Sequence, residues 1–173
     1  MNGRHHETGA GRITRLARRT ITAWALLGGG VLLAVVAMNT TSVISAVFWK
    51  PLPGDFEMTE MGIAVAAFAF LPWCQMTGAN VSADIFTARA GPRLLAAFRT
   101  LAALVALGFA LILLRQMSLG MGDQRMYGYT TAILQTPIWW AFVPILISLA
   151  LLAVAALMSL AEALRGFRNG GMA

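Results

Sequence analysis

The stretch that decides the fold is Lys50–Phe86, KPLPGDFEMTEMGIAVAAFAFLPWCQMTGANVSADIF. It opens on a turn. Pro51 and Pro53 remove backbone donors and Gly54 permits a tight reversal, so a helix arriving from the N-terminal side stops here. Asp55, Glu57 and Glu60 stand at the head of the next helix, where carboxylates cap free N–H groups and oppose the helix dipole. Glu57 and Glu60 are three apart and share a face. The chain then runs apolar to about Thr77, far enough to cross a bilayer. Within that run Gly62, Ala66 and Ala69 form a stripe of small residues suited to close contact with a neighbour. Pro72 is placed to kink the helix near its end, and Trp73 falls toward an interface. The exit is polar, through Gln75, Thr77, Asn80, Ser82 and Asp84. As a short interfacial helix over about 79–89 it would put Asn80 and Asp84 on one face, with Val81, Ile85 and Phe86 free to dip into lipid.

Composition carries the same message to the rest of the chain. Of 173 residues, 58% are hydrophobic and only 12% charged, with a mean hydropathy of +0.72. A soluble domain carries roughly 25% charged residues, so water is not the main solvent here. The net charge of +6 does not point to nucleic acid. The basic residues sit at the ends of apolar runs, as membrane orientation requires, and are not interleaved with aromatics on a polar face. The single cysteine, Cys74, lies in an apolar run; it excludes an intrachain disulfide and reads as a small buried residue. Both histidines, His5 and His6, are in the N-terminal tail, so no span carries a histidine to ligate a haem, which argues against a b-type cytochrome subunit. No cofactor and no metal are expected.

Outward from the central stretch, three more apolar runs complete an all-α integral membrane protein with four transmembrane helices. The spans are expected at about 21–48, 57–77, 94–117 and 136–161, between a basic tail over 1–19 and a short tail over 164–173. Residues 20–163 form the membrane domain. The tail's polar residues and glycines point to disorder at its start, and Arg18-Arg19 before an apolar run fits either a twin-arginine signal or a retained signal-anchor. In the first span Gly28, Gly29 and Gly30 allow close contact or a bend, and Asn39, Thr40, Thr41 and Ser42 read either as a substrate site or as interhelical hydrogen bonding. In the third span Arg99 and Arg115 bracket too few apolar residues to cross alone, so both are expected to snorkel to headgroups. Ala102, Ala106 and Ala110 line one face of it. Ser118–Thr131 reads as a loop, and the fourth span opens near Pro137, which suits a first helical turn. Ala141, Ser148 and Ala155 mark a packing seam. Trp49, Trp73, Trp139, Trp140, Arg89, Arg93 and Arg99 are the expected membrane-interface anchors.

With the N-terminus in the cytoplasm, Arg4, Arg12, Arg15, Arg18, Arg19, Arg89, Arg93, Arg99, Arg165 and Arg168 fall inside and only Lys50, Arg115 and Arg125 outside. The positive-inside rule therefore puts both termini in the cytoplasm, with the PLPG turn and the Tyr127 loop outside. No Walker loop, His-Glu metal motif or GxSxG elbow is present. No charge lies near the middle of an expected span, although proton- or ion-coupled carriers usually keep one. The broken-helix repeat of a complete secondary transporter is also missing. A non-catalytic accessory subunit fits these absences. A stand-alone homo-oligomeric channel or exporter, with Asn39–Ser42 lining a pore, is the alternative, and a membrane-bound enzyme subunit a third reading.

Three motifs carry a family resemblance over about Trp49–Leu160. They are the PLPG turn followed by Glu57 and Glu60; Gly78-Ala79-Asn80-Val81-Ser82-Ala83-Asp84 after the second span; and Gly128-Tyr129-Thr130-Thr131 leading through Gln135-Thr136 to Pro137-Ile138-Trp139. In that order, on a four-span chain, they resemble the small permease subunit (DctQ type) of tripartite ATP-independent periplasmic transporters. Trp49-Lys50 replaces an arginine common before the turn, Asn80 stands where a histidine is frequent, and Ala83 replaces a valine. The resemblance implies a multi-pass subunit of the bacterial inner membrane, surrounded by lipid and paired with a large permease that carries substrate and sodium. A periplasmic solute-binding protein would deliver an organic acid. The small subunit would act as a fixed scaffold, with Glu57, Glu60, Gly62, Ala66, Ala69, Asn80 and Asp84 as candidates for the partner interface.

Overall fold

The structure, a computed structural model, describes residues 7–78 and 92–169. Four helices account for nearly all of them: α1 (Glu7–Phe48), α2 (Asp55–Thr77), α3 (Pro92–Met126) and α4 (Trp139–Asn169). Among the described residues the only β pairing is an isolated antiparallel bridge between Thr130 and Pro137.

Three of the helices are long and apolar enough to cross a membrane, over Thr14–Phe48, Thr100–Met126 and Trp139–Leu164. α2 falls short of that standard for a visible reason. Asp55, Glu57 and Glu60 occupy its first two turns and Pro72 and Gln75 its last, which shortens the continuous apolar part.

Several boundaries differ from the sequence expectation. The helix-like spacing of Ile13, Leu16 and Ala17 in the basic tail is realised as helix: α1 already begins at Glu7, so residues 7–19 extend the first span as one continuous helix. α3 continues through Ser118, Gly120, Gly122 and Asp123 to Met126, where a loop was expected. No proline interrupts the chain between Pro92 and Pro137, and each helical glycine costs only about 1 kcal/mol. The neighbouring helix covers this extension: a Cβ on Gly120 would rest 3.4 Å from the Phe142 ring. Pro137 is not in the first turn of α4. It is engaged with Thr130, its carbonyl accepts the Trp140 N–H at 3.2 Å, and the helix starts at Trp139. The interfacial helix expected at about 79–89 lies outside the described residues.

α1 packs on α2, α2 on α4, and α4 on α3, while α1 touches α4 only lightly. The spatial order is therefore α1–α2–α4–α3, a row one helix thick. Its densest part joins Ala110 of α3 to Ile145, Leu149, Leu152 and Ala153 of α4, with Ala64, Val65, Phe68 and Leu71 of α2 against them. Of the expected α3 seam, Ala110 is buried and Ala106 half-buried, while Ala102 is exposed and Ala103 takes the buried position at that end. In α4 Ser148 and Ala155 are buried as a seam requires.

α1 and α2 approach closely because the contact is built from small residues. A Cβ on Gly28 would stand 2.6 Å from the Ala69 Cβ, and one on Gly62 would stand 2.4 Å from the Val35 Cγ2. Ala66 and Ala69 are almost wholly buried. Towards the N-terminal half of α1, Trp24 Nε1 donates to Ser148 Oγ at 2.8 Å, and Arg18 pairs with Glu162 at 3.2 Å.

A row this thin leaves two wide apolar faces. Leu26, Leu33, Val36 and Val47 of α1 and Leu101, Leu104, Phe109 and Ile112 of α3 are exposed. Only 11% of the most apolar window of α3 is buried inside the chain. Apolar surface on that scale is stable only against lipid or another protein.

Candidate functional site

One cluster of hydrogen-bonded polar residues lies at one end of the row, around the turn between α1 and α2. Ser42, 3% exposed, is its hub. Its hydroxyl donates to the Asp55 carboxylate and accepts the Leu52 N–H at 3.1 Å, which fastens both sides of the PLPG turn to α1. One turn down, Asn39 Nδ2 donates to the Val35 carbonyl at 2.9 Å and to Thr59 Oγ1 at 2.7 Å, and Thr59 in turn donates to the Asp55 carbonyl. Thr40 and Thr41 donate to the carbonyls of Val36 and Ala37 in their own helix. The Asn39–Ser42 cluster is thus used for helix and interhelical hydrogen bonds. An open groove of about 490 Å³ does run between α1 and α2 beside it, but its walls are mainly Leu32, Val35, Val36, Val43, Ile44 and Ile63. Its polar floor, Asn39 and Thr59, is already paired.

Asp55 and Glu57 share a helix start and do different things. Asp55 serves the α1–α2 turn, accepting the Ser42 hydroxyl on one oxygen and the Phe56 N–H at 2.7 Å on the other. Glu57 reaches across to the α3–α4 loop, where it accepts the N–H of Ile133 at 2.7 Å and that of Leu134 at 3.1 Å, one on each carboxylate oxygen. That loop is pre-shaped for it. The Thr131 N–H bonds the Thr136 carbonyl at 3.0 Å, the Thr136 N–H bonds Thr131 Oγ1 at 3.1 Å, and Gln135 takes a left-handed φ of 55°. The tight turn aims successive N–H groups at one point, an anion-binding concavity of backbone donors. Glu57 lies on the loop side of the apolar segment that begins at Met61. Partial desolvation works to raise its pKa, but the N–H groups of Ile133 and Leu134, aided by Thr131 and Ala132, outweigh it and hold the carboxyl below its ordinary value near 4.5.

Gly54 completes the contact. It caps α2 with φ 78°, and a Cβ there would lie 2.4 Å from the Leu134 Cγ. Both the backbone conformation and the seat for Leu134 require glycine. The turn motif and the Thr-Thr/Pro motif, about 75 residues apart in sequence, are therefore two halves of one cap. Sequence reasoning singled out both and missed their contact. The available signal was a helix-start glutamate with no basic partner nearby, together with a later turn rich in undirected N–H groups.

The other expected site residues fall as follows. Glu60 is exposed, one turn beyond the cap. Gly62, Ala66 and Ala69 face α1 of the same chain, with Ala66 and Ala69 buried there and Gly62 half-buried. Trp49 and Trp140 are strongly exposed at the cap end, Trp139 lies under the Arg125 guanidinium at 5.3 Å, and Trp73 is part-exposed toward the far end of α2. Arg93 and Arg99 fall in the first turns of α3. Asn80, Asp84 and Arg89 lie outside the described residues. Among the described residues no three His, Cys, Asp or Glu side chains gather as a metal site needs.

The cap reads as a structural joint: the Ser42 hydroxyl and the Asp55 carboxylate tie the turn to α1, and the one shifted carboxylate, Glu57, is committed to backbone donors. No curated protein and no solved structure matches the chain. The family model described as tripartite ATP-independent periplasmic transporters, DctQ component, matches residues 35–166, which takes in the turn, Glu57, the α3–α4 loop and most of α4. That match spans well over half of the chain, and the protein belongs to the DctQ family, the small membrane component of these transporters.

Proposed function

We propose that this subunit is a static scaffold for the large permease of its transporter, contributing no transport chemistry of its own. In this reading the large permease couples uptake of an organic acid to sodium, a periplasmic binding protein delivers the acid, and the small subunit broadens and anchors the permease in the inner membrane. The family membership is the observation that carries it. The thin row of helices supports it, because such a row buries too little of its own apolar surface to be a self-contained carrier. The commitment of Asn39 to Thr59 and of Ser42 to the turn counts against a stand-alone pore lined by Asn39–Ser42.

We further propose four crossings, with α2 as the fourth and both termini cytoplasmic. α2 is joined to α1 by a six-residue turn and lies along it, so it runs back through the depth that α1 traverses. Its apolar part, residues 61–77, extends roughly 26 Å, at the short end of what a crossing takes, with Glu57 and Glu60 left at the surface. The polar cap then faces the periplasm and the Arg18–Glu162 end the cytoplasm, in line with the distribution of basic residues.

The test is co-expression with the large permease encoded beside it. A tagged small subunit should retain the permease through detergent purification, and reconstituted uptake should need both chains plus the binding protein. Full sodium-driven uptake by the permease without this chain, or transport by this chain alone, would sink the proposal.

A further inference from the structure

α3 and α4 together form a ruler for depth. Arg125 lies over Trp139, Gly120 sits beside Phe142, and Ala110 nests among Ile145, Leu149, Leu152 and Ala153. Arg115 is therefore level with about Ile147 and Ser148. At about 1.5 Å per residue it is roughly 15 Å along α3 from Arg125, while α4 measures roughly 34 Å from Trp139 to Glu162. The extension of α3 to Met126 thus moves Arg115 from the margin of a span, where the sequence had put it, to near mid-depth.

Arg115 also points away from the chain's own core. It is exposed, whereas Leu113, Leu114 and Met117 of the same helix pack inward. Among the described residues its guanidinium has no hydrogen-bond or ion-pair partner. Its outward surroundings are mostly apolar, with Leu111, Ile112 and Leu119 exposed beside it and Gln116 and Ser118 the polar exceptions. Reaching the nearer headgroup layer is geometrically awkward. Side chains on a helix lean toward its N-terminus, so Arg115 leans toward Leu111, deeper into the membrane and away from the cap end. A charge at such a depth is retained where it meets an opposite charge or a polar partner, not bare lipid.

We propose that the outward face of α3 around Arg115 docks a neighbouring membrane protein that presents a carboxylate at mid-depth. Resting on the scaffold reading above, that neighbour is the large permease. Arg115 and the partner carboxylate form a charge-assisted pair, and Leu111, Ile112 and Leu119 form the dry apolar surround that excludes lipid and water from it.

The experiment uses the co-expressed complex. Wild-type retention of the permease establishes the scaffold reading on its own. Against that baseline, Arg115→Leu should insert and show unchanged helicity, since leucine suits both helix and lipid. Its affinity for the permease should fall by roughly thirtyfold or more, the loss expected when one member of a desolvated ion pair is removed. Arg115→Lys should restore part of the retention and Arg115→Glu none of it. A photo-crosslinking residue at Leu119, which leaves the arginine in place, should give an adduct with the permease. Undiminished retention by Arg115→Leu overturns the proposal, as does a Leu119 adduct only with lipid or only with a second copy of this chain. Labelling of an Ile112→Cys, Cys74→Ala variant, which keeps Arg115, by a water-soluble thiol reagent in the assembled complex also overturns it, because the face would then be in water. A wild-type chain that fails to retain the permease overturns the scaffold reading as well.

Discussion

Glu57 illustrates how one side chain fixes two distant segments. Its carboxylate is ionised more readily than usual because Ile133 and Leu134 donate to it. A carboxylate whose folded pKa is depressed stabilises the folded state above its unfolded value and loses that contribution as pH falls through the folded value. Amide exchange at Ile133 and Leu134 should therefore stay slow at neutral pH and down to about the ordinary value near 4.5, and protection should be lost only on further acidification. Glu57→Gln should remove that pH dependence, and protection that titrates identically in the Gln variant would contradict the assignment. Gly54 faces a steric demand as well as a conformational one. Gly54→Ala should cost at least about 1–2 kcal/mol from the left-handed backbone alone, plus displacement of Leu134. Adding Leu134→Ala should recover the displacement component and leave the backbone one, as read by thermal unfolding in detergent.

At the scale of elements, the α1–α2 contact depends on missing side chains. Gly28→Ala would set a Cβ 2.6 Å from that of Ala69, an overpacking that typically costs about 1–3 kcal/mol. Gly30 has nothing within 4 Å of its would-be Cβ, so Gly30→Ala should stabilise α1 by about 0.5–1 kcal/mol. Opposite shifts in melting temperature for two substitutions two residues apart would establish the contact, and equal shifts would refute it. Between α1 and α4, Trp24 donates to a Ser148 hydroxyl that itself donates to the Pro144 carbonyl. Trp24→Phe leaves no donor of Ser148 unsatisfied and should cost only about 0.6 kcal/mol, the usual scale for interhelical hydrogen bonds in membranes. A loss of several kcal/mol would mean that Trp24 does more than this one bond shows.

The whole molecule is a row, and its polarity is divided between its two ends. The cap holds the α1–α2 turn and the α3–α4 loop together, while Arg18 and Glu162 meet at the other end. In a Cys74→Ala background, cysteines placed at Leu52 and Tyr127 should both label from the periplasmic side of intact cells, and one at Glu162 should not. Labelling of Leu52 and Tyr127 from opposite sides would contradict the shared cap, and labelling of Glu162 alone would invert the proposed orientation. Arg18 and Glu162 are half-exposed, at 50% and 58%, so exchanging the two charges should change stability by no more than about 1 kcal/mol.

Much of this was legible in the residues. Hydrophobic run lengths, the Pro51–Pro53–Gly54 stop and the low charge content determine an all-helical membrane chain, because a bilayer leaves backbone polar groups few other ways to be satisfied. The three motifs were enough to suggest the family. The end of α3 was not legible, because glycines and polar residues read as a loop until α4 is seen lying alongside them. The faces of the small-residue stripes were not legible either, since periodicity locates a face without naming what covers it. The contact of Glu57 with Ile133 and Leu134, the seating of Leu134 on Gly54 and the level of Arg115 against α4 were decided only by tertiary structure. Each depends on the register between helices that are far apart in sequence, and that register is set by side-chain packing between elements, which no single local pattern encodes.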